Sequence, residues 1–227
     1  MKKPVIDYRK VRFSNILSPE FRHLFLILGW PAYFLMYFLT EKYIPTENCH
    51  VVHSVLDDII PFCEIFVLPY VLWYVLIAGS LLYFLFYSVD SFKRLQSYII
   101  IVQVIATVIF IVYPSVQNLR PEVFPRDNIL TDIVAGLYSA DTNTGVCPSL
   151  HVAVSLGIAS AWVKDKTANW QFKTFIVLFC ISVCLSTMFI KQHSAIDSYA
   201  ALPVCLVAEI AVFGKSYWLA KFKKLKK

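Results

Sequence analysis

His193 and Asp197 stand four residues apart at the end of the stretch Ser186 to Asp197, which reads S-T-M-F-I-K-Q-H-S-A-I-D. On a helix that spacing brings both side chains to one face. A carboxylate so placed accepts the proton of the imidazole Nδ1, fixes the ring tautomer and leaves Nε2 free to attack. The pair is therefore a candidate for an activated histidine nucleophile, and it equally suits a polar cluster capping a helix. Three further groups could join such chemistry. His151 follows Pro148 and Ser149 in C-P-S-L-H-V, Arg120 precedes Pro121 at the end of Y-P-S-V-Q-N-L-R-P, and Lys191 lies two residues before His193.

The elements that must position these groups are membrane spans. Hydrophobic residues make up 58% of the 227, and the mean hydropathy is +0.63. Such a composition, with several long apolar runs, marks a polytopic membrane protein, where ionisable groups at a span boundary are functional candidates by default. Six spans are expected, over 24–40, 65–89, 95–113, 147–163, 174–190 and 198–214, forming one all-α domain across residues 1–227. The fourth is short and begins with polar residues. No stretch reads as a cleaved signal peptide, and no residue-level repeat stands out.

Charge sets the expected orientation. With six spans, both termini share a side with the links near Asp90–Arg94 and Lys164–Lys173. Those segments hold 17 of the 21 lysines and arginines, Lys2, Lys226 and Lys227 among them. The other side keeps Lys42, Arg120, Arg126 and Lys191. The positive-inside rule then places both termini in the cytoplasm and the candidate groups on the extracytoplasmic face, with the plasma membrane as the expected location. The basic C-terminal tail reads as an anchor on anionic lipid, and no nucleic-acid partner is expected. The six cysteines form no C-x-x-C pair, so no structural zinc is expected. Cys49, Cys63 and Cys147 lie outside apolar runs or at their ends, where an oxidising compartment can pair two of them. Cys49 with Cys147 is the expected bridge, and Cys63 is the competing partner.

Taken together, the three segments resemble the signature of the type 2 phosphatidic acid phosphatase superfamily of membrane lipid phosphatases and phosphotransferases. That signature reads K-x-x-x-x-x-x-R-P, then P-S-G-H, then S-R-x-x-x-x-x-H-x-x-x-D. The resemblance implies that His193 takes the phosphoryl group, that Asp197 orients it and that His151 protonates the departing alkoxide. It also implies that Arg120 holds phosphate oxygens, helped by Ser149 and by the backbone amides that begin the fourth helix at Leu150. No metal and no cofactor are implied. The sequence departs from the signature at Tyr113, Leu150 and Thr187, so two phosphate-binding cations are missing. Lys191 is the expected substitute for one of them. P-S-L-H is similar to the inositol phosphorylceramide synthase branch, whose members transfer a headgroup phosphate between lipids.

A fourth cluster, before the second span, carries His50, His53, Asp57, Asp58 and Glu64. His53 and Asp57 are four apart, and with Asp58 they are candidates for recognising a polar headgroup; an amphipathic hairpin on the membrane surface is the other reading. Glu209, inside the sixth span, is expected to make a structural hydrogen bond. The implied activity is dephosphorylation of a lipid phosphate or diphosphate through a phosphohistidine. Lipid phosphotransfer and an inactive lipid-binding or lipid-transport protein are the alternatives, and the lipid, the acceptor and the oligomeric state stay open.

Overall fold

The computed structural model describes residues 3–43 and 46–225; Lys2, Lys226 and Lys227, counted in the charge balance, lie outside the described residues. A 3-10 segment, Arg22–Leu28, runs into helix α1 (Gly29–Tyr43). Then come the short α2 (Val55–Ile59), α3 (Val67–Tyr87), α4 (Val89–Val112), α5 (Ile129–Ala140) and α6 (Leu150–Lys164). Helices α7 (Trp170–Phe189), α8 (Ala195–Phe213) and α9 (Leu219–Leu225) complete an all-α architecture. Its small exception is a parallel pair of two-residue strands, β1 (His50–Val51) and β2 (Ser115–Val116), with His50 opposite Ser115.

Among the described residues, five helical stretches are long and apolar enough to cross a membrane: Arg22–Tyr43, Glu64–Tyr87, Val89–Val112, Trp170–Phe189 and Ala195–Lys221. They cover five of the six expected spans. Helices α4 and α8 start earlier than hydropathy alone placed them, because a helix continues through polar residues such as Asp90 and Lys93 when its backbone bonds are made. The expected span over 147–163 is different. Pro148 keeps Cys147 out of helical geometry, and Ser149 is the N-cap, accepting from the Val152 amide. Helix α6 therefore has 15 residues, roughly 22 Å at 1.5 Å per residue, against about 30 Å of hydrocarbon. It still runs between the two ends of the bundle. At its start the Ser149 amide donates to the Asp197 carbonyl at 3.0 Å. Just past its end, Asp165 accepts from Ser88 at 2.8 Å and Ser91 at 2.6 Å in the link between α3 and α4.

Helix α4 is the centre, packed against α1, α3, α6 and α8. Its buried Leu95, Ile99, Val102 and Ala106 recur every three or four residues, the spacing of one helical face. Helix α6 presents the small residues Ala153, Gly157 and Ala161 at four-residue intervals, which lets backbones approach closely. A Cβ at Gly157 would sit 2.4 Å from the Tyr98 ring. Glu209 in α8 accepts from Ser160 and from Trp218 Nε1, both at 2.6 Å, and pairs with Lys164 at 2.7 Å. No residue of α1 is buried, so this helix leans on α4 and leaves a gap towards α3. Cys63 and Cys147 carry free thiols, so neither the expected Cys49–Cys147 bridge nor its alternative through Cys63 forms.

Candidate active site

The turn between α7 and α8 presents His193. Lys191 ends α7 in the left-handed region, with φ of 54°, a conformation that costs a non-glycine residue on the order of 1–3 kcal/mol. The amides of Gln192 and His193 hold it by donating to the Thr187 carbonyl, both at 3.0 Å. The Lys191 ammonium adds a clamp, donating to the carbonyls of Asp57 at 2.7 Å and Ile60 at 2.5 Å. The chain thus breaks its helix just before Gln192, yet Lys191, expected at the phosphate, turns towards the α2 segment instead.

Helix α8 begins on Ser194 as its N-cap. Asp197 Oδ2 accepts from the Ser194 amide at 2.9 Å and from His193 Nδ1 at 3.2 Å. His193 precedes the helix, so the cap geometry joins the pair, and a shared helical face does not. Capping and orienting are carried by one buried carboxylate. A carboxylate only accepts, so Nδ1 is the ring nitrogen that donates in this contact.

Asp57 braces this turn from far away in sequence. Its carboxylate accepts from the Ser194 hydroxyl, from the Ala195 amide at 2.8 Å and from the Ser54 amide at 2.8 Å. Burial raises its pKa, but the donors of Ser194, Ala195 and Ser54 outweigh that and hold it below the ordinary carboxylate value. The expected grouping of His53, Asp57 and Asp58 for headgroup recognition is corrected here. Ser54 caps α2, so His53 stands outside the helix and binds Asp58 at 2.9 Å on the exposed surface. Neither His53 nor Asp58 lines the cavity beside His193.

Asp57→Ala should therefore cost stability, since each buried donor left unpaired costs about 1–3 kcal/mol. For a chain of this size the expected drop in melting temperature is on the order of 5–10 °C in detergent. Asp57→Asn should lose less. Because the folded-state pKa is lowered, the charge contribution is complete above the ordinary value of 3.8 and fades as pH falls through the lowered one. The gap between wild type and Asp57→Asn should accordingly narrow in acid.

His151 lies in the first turn of α6, with its ring against Tyr70 at 4.3 Å and Trp73 at 4.1 Å between centroids. Its Nε2 is shielded from solvent and makes no hydrogen bond among the described residues. The His193 ring is 5.6 Å away. Arg120, expected on the phosphate, is engaged elsewhere. Its guanidinium donates to the carbonyls of Tyr138, Asp141 and Thr142 at 2.9–3.0 Å and to Gln192 Oε1 at 2.7 Å, and it lies over the Tyr138 ring. Arg126 forms a two-pronged pair with Glu64, both contacts at 2.6 Å. Ser149 is fully buried as a cap, whereas Leu150 reaches the cavity wall.

That cavity has a volume of about 550 Å³ and is lined chiefly by α1, α3 and the loop after α5. His151, Gln192 and His193 close its polar end, and Trp30, Phe34, Ile77 and Leu81 line its apolar end. The Gln192 Nε2 is buried and has no hydrogen-bond partner among the described residues. Gln192, Asp141 and Cys147 are site residues that motif reasoning did not assign. Burial first, then the neighbouring Asp197 carboxylate, pushes the Cys147 thiol up to about 12, so it stays protonated beside the pair. No family model, no curated protein and no solved structure matches this chain.

Proposed function

We propose that this protein is an integral membrane enzyme that breaks a lipid phosphoester through a covalent bond from phosphorus to His193, as its resemblance to the type 2 phosphatidic acid phosphatases implies. The observation that carries the reading is one arrangement: His193 Nδ1 on buried Asp197 at 3.2 Å, and a second imidazole 5.6 Å away on the same lipid-sized cavity. Nε2 of His193 attacks phosphorus, and the ester P–O bond breaks with its electron pair going to the leaving oxygen. His151 gives that oxygen its proton. Water or an alcohol then attacks phosphorus, the P–N bond breaks back to His193, and the proton of the attacking group returns to His151.

A transferring phosphoryl group spreads charge over its equatorial oxygens. The unpartnered Gln192 amide is the donor best placed for them, and Arg120 fixes that side chain from behind. Asp197 holds the tautomer and stabilises the imidazolium-like nucleophile as the P–N bond forms. The six-span reading, with α6 as a short buried crossing, places this end of the bundle outside the plasma membrane and both termini in the cytoplasm. The charge bias supports that orientation.

Hydrolysis of a lipid phosphate or diphosphate is the simplest form of the reaction. Transfer to an alcohol is the second reading, and the seclusion of the site favours it: His193 is only 9% exposed, among aromatic walls. Purified protein in maltoside detergent, given a panel of lipid phosphoesters with and without lipid alcohols, separates the two. Free phosphate indicates a hydrolase and a new phospholipid indicates a transferase. No turnover of any member would contradict both and leave a lipid-binding protein.

A further inference from the structure

A second cavity, of about 570 Å³, opens at the end of the bundle opposite the catalytic turn. Its walls come from the start of α4, the end of α6 with the link after it, and the turn that joins α8 to α9. Four cations line it, Arg94, Lys164, Lys166 and Lys221, against two carboxylates, Asp90 and Asp165. Both carboxylates are engaged. Buried Asp165 accepts from Ser88, Ser91 and the Thr167 amide at 2.6–2.8 Å, and exposed Asp90 pairs with Lys93 at 3.9 Å. Lys164 is engaged as well, with Glu209 at 2.7 Å and over the Phe213 ring at 4.3 Å. Arg94, Lys166 and Lys221 have no carboxylate partner among the described residues.

Like charges gathered around one cavity repel, and the field they leave there attracts an anion. The turn that brings in Lys221 is unusual. Gly214–Trp218 is a π-helical turn, closed by the Leu219 amide on the Gly214 carbonyl. Such wide turns recur at functional sites, and this one sets the Ser216 hydroxyl to accept from Arg94 Nη1. A guanidinium has five N–H donors. Ser216 fixes one of those of Arg94, and the others stay open to a ligand. Depth decides the kind of anion. Arg94 lies in the second turn of the span Val89–Val112, and Ser216 and Lys221 lie in the last turns of Ala195–Lys221. Tyr217 and Trp218 beside them are the residue types that mark the headgroup level. Basic pockets between helix ends at that depth meet lipid phosphates.

We propose that this cavity binds the phosphate headgroup of an anionic phospholipid from the leaflet at its own end of the bundle, the cytoplasmic leaflet in the orientation proposed above. Arg94 and Lys166 hold the phosphate oxygens from α4 and the α6–α7 link, and Lys221 meets them from α9. A zwitterionic lipid is disfavoured, because its ammonium adds a further cation to three without a carboxylate. The site is separate from the cavity at His193 and does not rest on phosphoryl transfer. No histidine lines it, and the lipid stays intact. Its bound headgroup fastens α4, α6 and the α8–α9 turn at the ends remote from His151 and His193.

The test is lipid retention by the full chain in maltoside detergent, read by native mass spectrometry on His193→Ala protein so that no turnover intervenes. The probes are dioctanoyl phosphatidylglycerol, dioctanoyl phosphatidylcholine and inorganic phosphate. Phosphatidylglycerol should bind at least about tenfold more tightly than phosphatidylcholine. Lys166 and Lys221 are exposed and have no hydrogen bond to lose among the described residues. Lys166→Gln with Lys221→Gln should weaken phosphatidylglycerol about thirtyfold, roughly fivefold for each cation near anionic lipid. Phosphatidylcholine retention and the melting temperature should not move, and Lys166→Arg with Lys221→Arg should keep the affinity. Lys215→Gln with Lys223→Gln, on the same tail but outside the cavity wall, should change little. Inorganic phosphate in large excess should not displace the lipid. Equal retention of the two lipids, or indifference to the first pair of substitutions, would overturn the proposal. An equal loss from the Lys215 and Lys223 pair would reduce the cavity to a diffuse basic surface and overturn it too. Displacement by inorganic phosphate at matching concentration would make it a site for a soluble anion, against the lipid proposed.

Discussion

His193→Ala folds and inserts normally but loses turnover, by a factor on the order of a million, the loss met when a nucleophile is removed from groups that act as a unit. Among the described residues the side chain makes one hydrogen bond, to Asp197 at 3.2 Å, and it lines the cavity. Its removal therefore leaves the Ser194 cap, the Asp57 brace and the Thr187 turn intact. Steady-state turnover beside thermal melting separates chemistry from folding: the rate should vanish while the melting temperature moves little. A variant that keeps near-normal turnover would remove His193 from the mechanism. An equal loss accompanied by a collapsed melting temperature would reduce the residue to a structural one.

His151→Gln should slow turnover by about a hundredfold to ten-thousandfold, the range for one general acid. The substitution keeps a polar side chain of similar reach against Tyr70 and Trp73, but glutamine cannot surrender a proton at neutral pH. The loss should depend on the leaving group. With a nitrophenyl ester, whose leaving oxygen needs no proton, most of the rate should return. A defect of the same size on both substrates would make His151 a packing residue.

Much of this site was legible in the sequence, for a local reason. Asp197 lies four residues after His193, and the contact survives although the helix starts between them, because an N-cap box uses the same short spacing. Pro148 and Ser149 likewise announced the start of α6, although the apolar run suggested a longer span. What stayed hidden is long-range. Asp57 reaches Ser194 across 137 positions, and nothing in the residues near Asp57 distinguishes a brace from a surface acid. Arg120 carries the motif, yet apart from Gln192 its hydrogen-bond partners are backbone carbonyls of residues 138, 141 and 142, which no side-chain pattern encodes. Lys191 shows a different limit. The helix break that would have freed it for phosphate also delivered it to the carbonyls of Asp57 and Ile60. The aromatic wall was invisible for the same reason: its residues come from α1, α3 and α4 and meet only when the bundle closes.

The central claim, a covalent bond from phosphorus to His193, is tested by trapping it. Wild-type protein is mixed with phosphorus-labelled lipid phosphoester, quenched in denaturant at alkaline pH within one turnover, and digested for mass mapping. The account predicts label on the peptide that contains His193, stable in alkali and released by acid as a phosphoramidate should be. The label should be absent from His193→Ala and discharged from wild type by an added acceptor alcohol. Label on any other residue, or full turnover with no protein-bound phosphorus at any quench time, would contradict the account.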